Sequence, residues 1–416
     1  MRQLFKDKNF LRLCLATFFM SSCLQLVWLV MPFIVKAMGG SDTEVGLCFM
    51  GQMGIYVIFC LINSTIIDRF KPKKVLVLGA AAEVFVAFGL LATVWYGNNS
   101  GIFLSPIMRL VFLISMTGII TAFFWPVMMG WISTGHEGAA LTKRFGFYNT
   151  TWASANMLLP IIGGYLMEID YLLPLAAAGL MAIGCFAAAS TARCISKDPK
   201  PQENNTDDTI KEEFRQESRQ FLWMSRVALL ATFMCVGIFR SQLGILYKFE
   251  LGFPESVYGW SVSLMCLFNI VVFWMMGKSH YWHYKKGLFA AAQASIILCM
   301  VVIILSGSLF LQLLASGLSG ICYGVVYSSH QYYGVSGGTK RSGLMAVHET
   351  IIGAGFAVGS LVGGMLSDAF GRRSPYWFAC AVIIAGGLVQ VLLWFTVGRF
   401  GQPSSKANTS VFTSPT

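Results

Sequence analysis

Charge is scarce in this chain: Asp, Glu, Lys and Arg make up 12% of its 416 residues, against about 25% in an ordinary soluble domain. Metal-type cysteine pairs are missing. The 11 cysteines include no Cys-x-x-Cys, and nearly all lie in apolar runs, Cys14, Cys23, Cys60, Cys235, Cys266, Cys299 and Cys380 among them. They read as small buried apolar side chains. Of the five histidines only His280 and His283 are close, without a nearby Cys or carboxylate cluster, so no metal site is expected. No Gly-rich phosphate loop, nucleophile elbow or pair of intramembrane aspartates appears, which argues against a polytopic membrane enzyme and against a cofactor. A cleavable signal peptide is not expected either. The segment after Met1-Arg2-Gln3 is polar, and the apolar run that follows is too long for a signal core.

What is present is apolar. Ala, Val, Ile, Leu, Met, Phe, Trp, Tyr and Cys account for 56% of the residues, and the mean hydropathy is +0.66. Those values exclude a soluble globular enzyme, a disordered protein and a secreted disulfide scaffold. A helix crossing about 30 Å of hydrocarbon needs about 20 mostly apolar residues. Twelve such spans are predicted, near 10–35, 45–67, 75–96, 102–131, 145–167, 174–195, 221–247, 257–277, 287–306, 308–333, 343–366 and 375–397. A transmembrane β-barrel is excluded, because its strands would alternate apolar and polar residues. The fold class is therefore an all-α membrane protein with twelve transmembrane helices.

The net charge of +11 would point to nucleic acid on a soluble protein; here it reports topology. With the N-terminus inside and alternating spans, inner segments hold 24 Lys and Arg residues and outer segments hold four, Lys36, Lys248, Arg372 and Arg373. This asymmetry places both termini in the cytoplasm. One long polar stretch, 196–220, carries 12 charged residues in 25 and reads as a solvated linker. It divides the chain into a six-helix bundle at 1–195 and a second at 221–400, followed by a disordered cytoplasmic tail at 401–416 rich in Ser, Thr and Pro.

The halves repeat. Lys36, Gly39 and Gly46 correspond to Lys248, Gly252 and Gly259, at separations of 212, 213 and 213 residues. Lys143-Arg144-Phe145-Gly146 corresponds to Lys340-Arg341-Ser342-Gly343 at 197, and Gly163-Gly164 to Gly363-Gly364 at 200. Two parallel six-helix repeats are the arrangement of one large class of secondary transporter.

With these residues in view the chain resembles the major facilitator superfamily over essentially its whole length. The loop after span 2 in that family reads G-x-L-x-D-R-x-G-R-K, and here Ser64-Thr65-Ile66-Ile67-Asp68-Arg69-Phe70-Lys71-Pro72-Lys73-Lys74 keeps the Asp-Arg pair and the basic cluster but neither glycine. Pro160-Ile161-Ile162-Gly163-Gly164 is similar to the end of the family's span-5 motif. Arg109 resembles its span-4 arginine, without the usual Gln-Gly partner. The copy of the loop after span 8 has Tyr281 in place of the acid. The resemblance implies two pseudo-symmetric bundles, alternating access, and a cavity lined by helices 1, 4, 7 and 10. It also implies that Asp68 and Arg69 form a gate, with Asp68 facing the positive end of helix 11.

Charges inside spans mark candidate function, since each costs at least about 2.5–3.5 kcal/mol near the bilayer centre. Arg109 in span 4 and Arg240 in span 7 fall at similar depth in the outer third and are candidates to clamp an anion. The alternative is that each snorkels outward or pairs with Glu168 or Glu250. Ser21, Gln25 and Trp28 share one face of helix 1, and Tyr323, Tyr327, His330 and Gln331 one face of helix 10. Gln25, Trp28, Tyr323, Tyr327 and Gln331 are accordingly expected at the solute site. Glu349 beside His348, and Glu83 in span 3, are proton-coupling candidates, with a structural role favoured for Glu83. Gly355, Gly359 and Gly363 form a small-residue ridge, expected to face helix 2 of the other half and to serve gating. The expected function is a monomeric secondary transporter in the plasma (inner) membrane, not an enzyme, which binds a small-molecule solute and no nucleic acid. A small organic anion or polar metabolite is favoured, with proton coupling possible. Multidrug or lipophilic efflux and sugar transport are the alternatives of the same fold, and a transport-like sensor the alternative of a different class.

Overall fold

The computed structural model describes residues 7–66, 70–97, 104–133, 138–193, 211–278, 281–335 and 341–399. These form twelve α-helices: α1 (Lys8–Ala37), α2 (Asp42–Ile66), α3 (Pro72–Tyr96), α4 (Pro106–Ser133), α5 (Gly138–Ile169), α6 (Leu172–Thr191), α7 (Lys211–Phe249), α8 (Glu255–Lys278), α9 (Lys286–Leu305), α10 (Leu309–Val335), α11 (Arg341–Phe370) and α12 (Ser374–Arg399). No strand occurs among the described residues. The shortest helices have 20 residues, about 30 Å at 1.5 Å per residue, which is enough to cross the hydrocarbon layer.

Among the described residues, eleven of the helices contain a stretch apolar enough to span a membrane, and α5 is the one without. The first half of α5 carries Lys143 and Arg144 and then the polar run Asn149-Thr150-Thr151. Its backbone stays helical because each amide bonds within the segment, whatever the solvent outside. Helix α7 likewise begins at Lys211, inside the stretch expected to be linker. The remainder of that linker, the tail 401–416, and Asp68 and Arg69 lie outside the described residues.

The same helix pairs recur in both halves. In the first, α1 packs on α5 and α6, α3 on α6 and α4, and α2 on α4. In the second, α7 packs on α11 and α12, α9 on α12 and α10, and α8 on α10. Two symmetric seams join the halves, α2 to α11 and α5 to α8. Glycines let these backbones touch. A Cβ on Gly46 of α2 would strike the Ser360 carbonyl of α11, and one on Gly259 of α8 would strike the Pro160 carbonyl of α5. Buried depth separates core from periphery: 83% of the apolar window of α1 and 61% of that of α7 is buried, against 33% in α3 and 28% in α12. The turns that end α1 and α7 pass through Gly39 (φ 79°) and Gly252 (φ 70°), a left-handed geometry that favours glycine.

The small-residue ridge on α11 faces elsewhere than expected. Gly355 and Gly359 meet Leu230, Phe233 and Met234 of α7, and Gly363 meets Ile238 and Gln242 of α7. The ridge packs α11 onto its own half. The side of α11 turned to α2 carries Gly353, Gly364 and the Ser360 carbonyl instead, the Ser360 hydroxyl turning to α7. The reason is helical phase: residues four apart share one face, so one ridge serves one neighbour.

At the inner end of α1, Asp7 caps the helix, accepting from the amides of Asn9 and Phe10 at 3.1 and 3.0 Å, and pairs with Arg144 of α5 at 3.0 Å. The Arg144 guanidinium lies 4.3 Å from the centre of the Phe10 ring. Burial pushes the Asp7 carboxyl up, but the Phe10 amide, Arg144 and the Asn9 amide outweigh it and hold the carboxyl below its ordinary value. Asp7→Ala should lower stability by about 1 kcal/mol, the usual worth of such a cap. A depressed native pKa contributes stability that is present above the ordinary carboxylate value and lost as pH falls through the native one. Thermal-melt differences between wild type and Asp7→Ala should therefore be largest near neutral pH and vanish in acid.

Candidate functional site

Where α1 meets α7, a polar cluster is buried among apolar walls. Arg240 is 5% exposed, and Gln25 is 2% exposed. An Arg240 guanidinium nitrogen donates to Gln25 Oε1 at 3.0 Å, and the guanidinium lies 5.7 Å from the centre of the Trp28 ring, a cation–π distance. Trp28 Nε1 in turn donates to Gln52 Oε1 of α2 at 2.5 Å, and its ring meets Phe356 of α11 at 5.6 Å. Tyr258 of α8 donates to the Arg240 carbonyl at 2.7 Å. The guanidinium itself is met by α1, through Gln25 and Trp28, while α2 and α11 close on Trp28 and α8 holds the Arg240 backbone. Its Nη1 has no hydrogen-bond partner among the described residues. The described acids that pair with cations do so elsewhere: Asp7, Asp42, Glu250 and Glu255 bond Arg144, Lys36, Arg372, Arg373 and Lys248.

Arg109 has a different place. One of its guanidinium nitrogens donates to the carbonyl of Gly97 at 2.9 Å, and Gly97 is the residue that ends α3. This arginine therefore secures a helix C-terminus, where a cation is favoured. The two guanidiniums bond to different elements, Arg109 to the end of α3 and Arg240 to α1.

Tyr323 and Tyr327 stand half-buried one turn apart on α10, with ring centres 5.8 Å apart. Phe233 of α7 lies 5.3 Å from Tyr323, and Phe273 of α8 lies 5.4 Å from Tyr327. They form an aromatic wall on the second half. Gln331 is half-buried one turn farther in. His330 does not share that setting. It is 1% exposed, and its Nδ1 lies 2.7 Å from Nδ1 of His348, equally buried. The ring planes differ by 19° with centres 4.9 Å apart. That is the geometry of two imidazoles joined edge to edge, in which one must donate and the other accept. The Tyr327 ring lies 4.8 Å from that of His348.

Glu349 turns the other way from His348 and crosses the seam. Tyr56 of α2 donates to its Oε2 at 2.9 Å. Glu83, 1% exposed, belongs wholly to the first half: Thr117 of α4 donates to its Oε1 at 3.3 Å, and Cys23 of α1 lies at 3.8 Å. Sequence reasoning did not single out Gln52, Tyr56 or Phe356. The first two stand four residues apart within an apolar run, a spacing that places both on one helix face.

A family model described as Major Facilitator Superfamily matches residues 13–337. No curated protein matches the chain. Among solved structures, the nucleoside transporter NupG is similar with a TM-score of 0.68 at 10% identity, covering 95% of this chain and 100% of that one. A bacterial homologue of the human lysosomal transporter Spinster, in an inward-facing, unoccupied conformation, is similar with a TM-score of 0.66 at 14% identity, covering 95% and 98%. A POT family transporter in complex with 5-aminolevulinic acid is similar with a TM-score of 0.69 at 13% identity, covering 94% and 96%. At such identities the likeness carries the fold alone.

The placement of Glu83 makes a prediction. Its bonds stay inside one half, so Glu83→Gln, which preserves shape and one acceptor, should leave the melting midpoint and the pH profile of solute transport in proteoliposomes unchanged. A profile displaced by Glu83→Gln would return this carboxyl to the proton pathway.

Proposed function

Since this chain belongs to the major facilitator superfamily, and so is an integral multi-pass transporter of small solutes rather than an enzyme, we propose that it moves a small organic anion by alternating access. The plasma (inner) membrane is its place, with both termini cytoplasmic. No nucleotide-binding motif accompanies the spans, so the driving force is an ion gradient or the solute's own.

The observation that carries the anion reading is Arg240. A guanidinium removed from water requires a hydrogen-bonded counter-charge. This one has Gln25, a neutral acceptor, and a free Nη1 among the described residues. An anionic solute supplies the missing charge, and a carboxylate or phosphate suits the planar donor fork of arginine. Trp28 beside it, Phe356 against Trp28, and Tyr323 and Tyr327 on α10 offer apolar surface to the rest of the solute. Arg109, an α4 residue bonded to the Gly97 carbonyl at the end of α3, lies apart from this cluster.

Truncating one member of a buried charge pair costs at least about 2 kcal/mol, roughly thirty-fold in affinity. Arg240→Met should therefore weaken binding of organic anions by that factor or more in a thermal-shift screen of purified protein, with flux into proteoliposomes lost in parallel. If lipophilic cations alone stabilise the wild type, the substrate is of the multidrug class and the anion reading fails.

We also assign proton coupling to Glu349 and the neighbouring His330–His348 pair. Glu349 is bonded across the seam by Tyr56, so its charge state bears directly on the contact between halves. The histidine pair shares one proton and leaves both Nε2 atoms without a partner among the described residues. Glu349→Gln should abolish solute-driven acidification or alkalinisation, read with a pH-sensitive dye inside proteoliposomes, while solute exchange without a gradient persists. Unaltered proton movement in Glu349→Gln would remove this residue from coupling.

A further inference from the structure

The outer ends of the two seams carry the same device twice. On the first seam, the Asp368 carboxylate at the outer end of α11 accepts from the amides of Asp42 and Thr43 at 3.0 and 2.8 Å, and from the Thr43 hydroxyl at 2.5 Å. Asp42 and Thr43 are the first residues of α2. On the second seam, the Glu168 carboxylate at the outer end of α5 accepts from the amide of Ser256 at 3.1 Å, and Ser256 is the second residue of α8. Asp368 and Glu168 are 200 residues apart, the separation of Gly363-Gly364 from Gly163-Gly164.

The surroundings repeat as well. Each receiving helix opens on an acid held by a lysine from the end of the preceding helix: Asp42 by Lys36 at 2.7 Å, Glu255 by Lys248 at 3.1 Å. Each of these acids also takes a hydroxyl from the opposite half, Ser367 to Asp42 at 2.5 Å and Tyr171 to Glu255 at 2.7 Å. Behind each latch a glycine brings the backbones together, since a Cβ on Gly364 would strike the Asp42 carbonyl and one on Gly164 would lie 2.8 Å from Ser256 Cα.

Helix N-termini present amides that the helix itself cannot satisfy, together with a partial positive charge. In α2 the third of these amides is met locally: Ser41 Oγ accepts from the Glu44 amide while Glu44 returns a bond to the Ser41 amide, a capping box. Among the described residues, the first two are met by a carboxylate from the other half. Opening the outer side separates α2 from α11 and α5 from α8, so these bonds have no equivalent in an outward-open state.

We propose that Asp368 and Glu168 are paired outer gate residues, each carboxylate of one half holding the N-terminus of a helix of the other, so that both contacts break whenever the site opens to the outside. The assignment rests on the alternating-access reading. It is independent of the nature of the solute.

The test measures separation of the halves directly. Tyr96 and Leu305, exposed at the outer ends of α3 and α9, are replaced by cysteine and spin-labelled in a background whose native cysteines are alanine. Distances are then read by pulsed electron resonance in liposomes. Asp368→Asn and Glu168→Gln should each raise the ratio of the long-distance, outward-open population to the short one by about three- to ten-fold, and the double variant by about the product. Thr43→Val, which removes one donor and leaves both carboxylates, should shift the ratio in the same direction by less, and it serves if Asp368→Asn fails to fold. Unchanged distances in all variants overturn the proposal, and a shift from only one of the two carboxylates overturns the pairing. Solute flux is measured on the same liposomes: flux without a distance change rejects the gate alone, whereas no flux in the wild type rejects the transporter reading and leaves the distances interpretable.

Discussion

Hydrocarbon offers no hydrogen-bond partner to a peptide group or a guanidinium, and everything else in this molecule is arranged around that constraint. It makes every described element a helix. It sends the buried polar side chains to one another, as when Gln293 bonds Gln390 between α9 and α12 at 3.0 Å. It also leaves glycine as the residue that lets two helices meet, because close backbone packing replaces the hydrophobic drive that lipid cannot supply. Arg240 stands out against this background as a buried guanidinium with no carboxylate partner among the described residues, unlike Arg144, which pairs with Asp7.

The frame is symmetric and the chemistry is not. At the separation that relates Lys36 to Lys248, Arg240 corresponds to Trp28. The two equivalent positions face each other 5.7 Å apart, one a cation and the other the aromatic surface that receives it. The seam contact follows the same rule. Tyr56 corresponds at a separation of 213 to Asn269, and Glu349 corresponds to Trp152 or Asn149 at the two separations that flank it, 197 and 200, none of which can exchange a proton near neutral pH. On the proposed reading, recognition and coupling are thus departures from the repeat, whereas the outer contacts assigned a mechanical task keep it.

That division follows from what each part must do. Rocking two bundles about a central site requires seams that open and close together, and equivalent contacts on both sides balance the motion. A site for an asymmetric solute gains nothing from two equivalent halves. An arginine at both positions would set two like charges against each other in a medium that screens poorly.

The amino-acid sequence alone determined the lipid solvent, the helical class and the repeat, because all three follow from local composition and from spacings along the chain. Gln25, Trp28 and Arg240 were legible as polar residues in apolar runs. Only the tertiary structure decided which of them meet. Arg240 reaches Gln25, while Arg109, at similar expected depth, turns to the end of α3, since rotation about the helix axis and the nearest carbonyl decide a side chain's partner. The glycine ridge on α11 was visible as a pattern, but its partner, α7 rather than α2, depended on helical phase. The separation of His348 from its neighbour Glu349, one toward α10 and one across the seam, had no local signal, because adjacent residues on a helix point about 100° apart and only packing decides what each then finds.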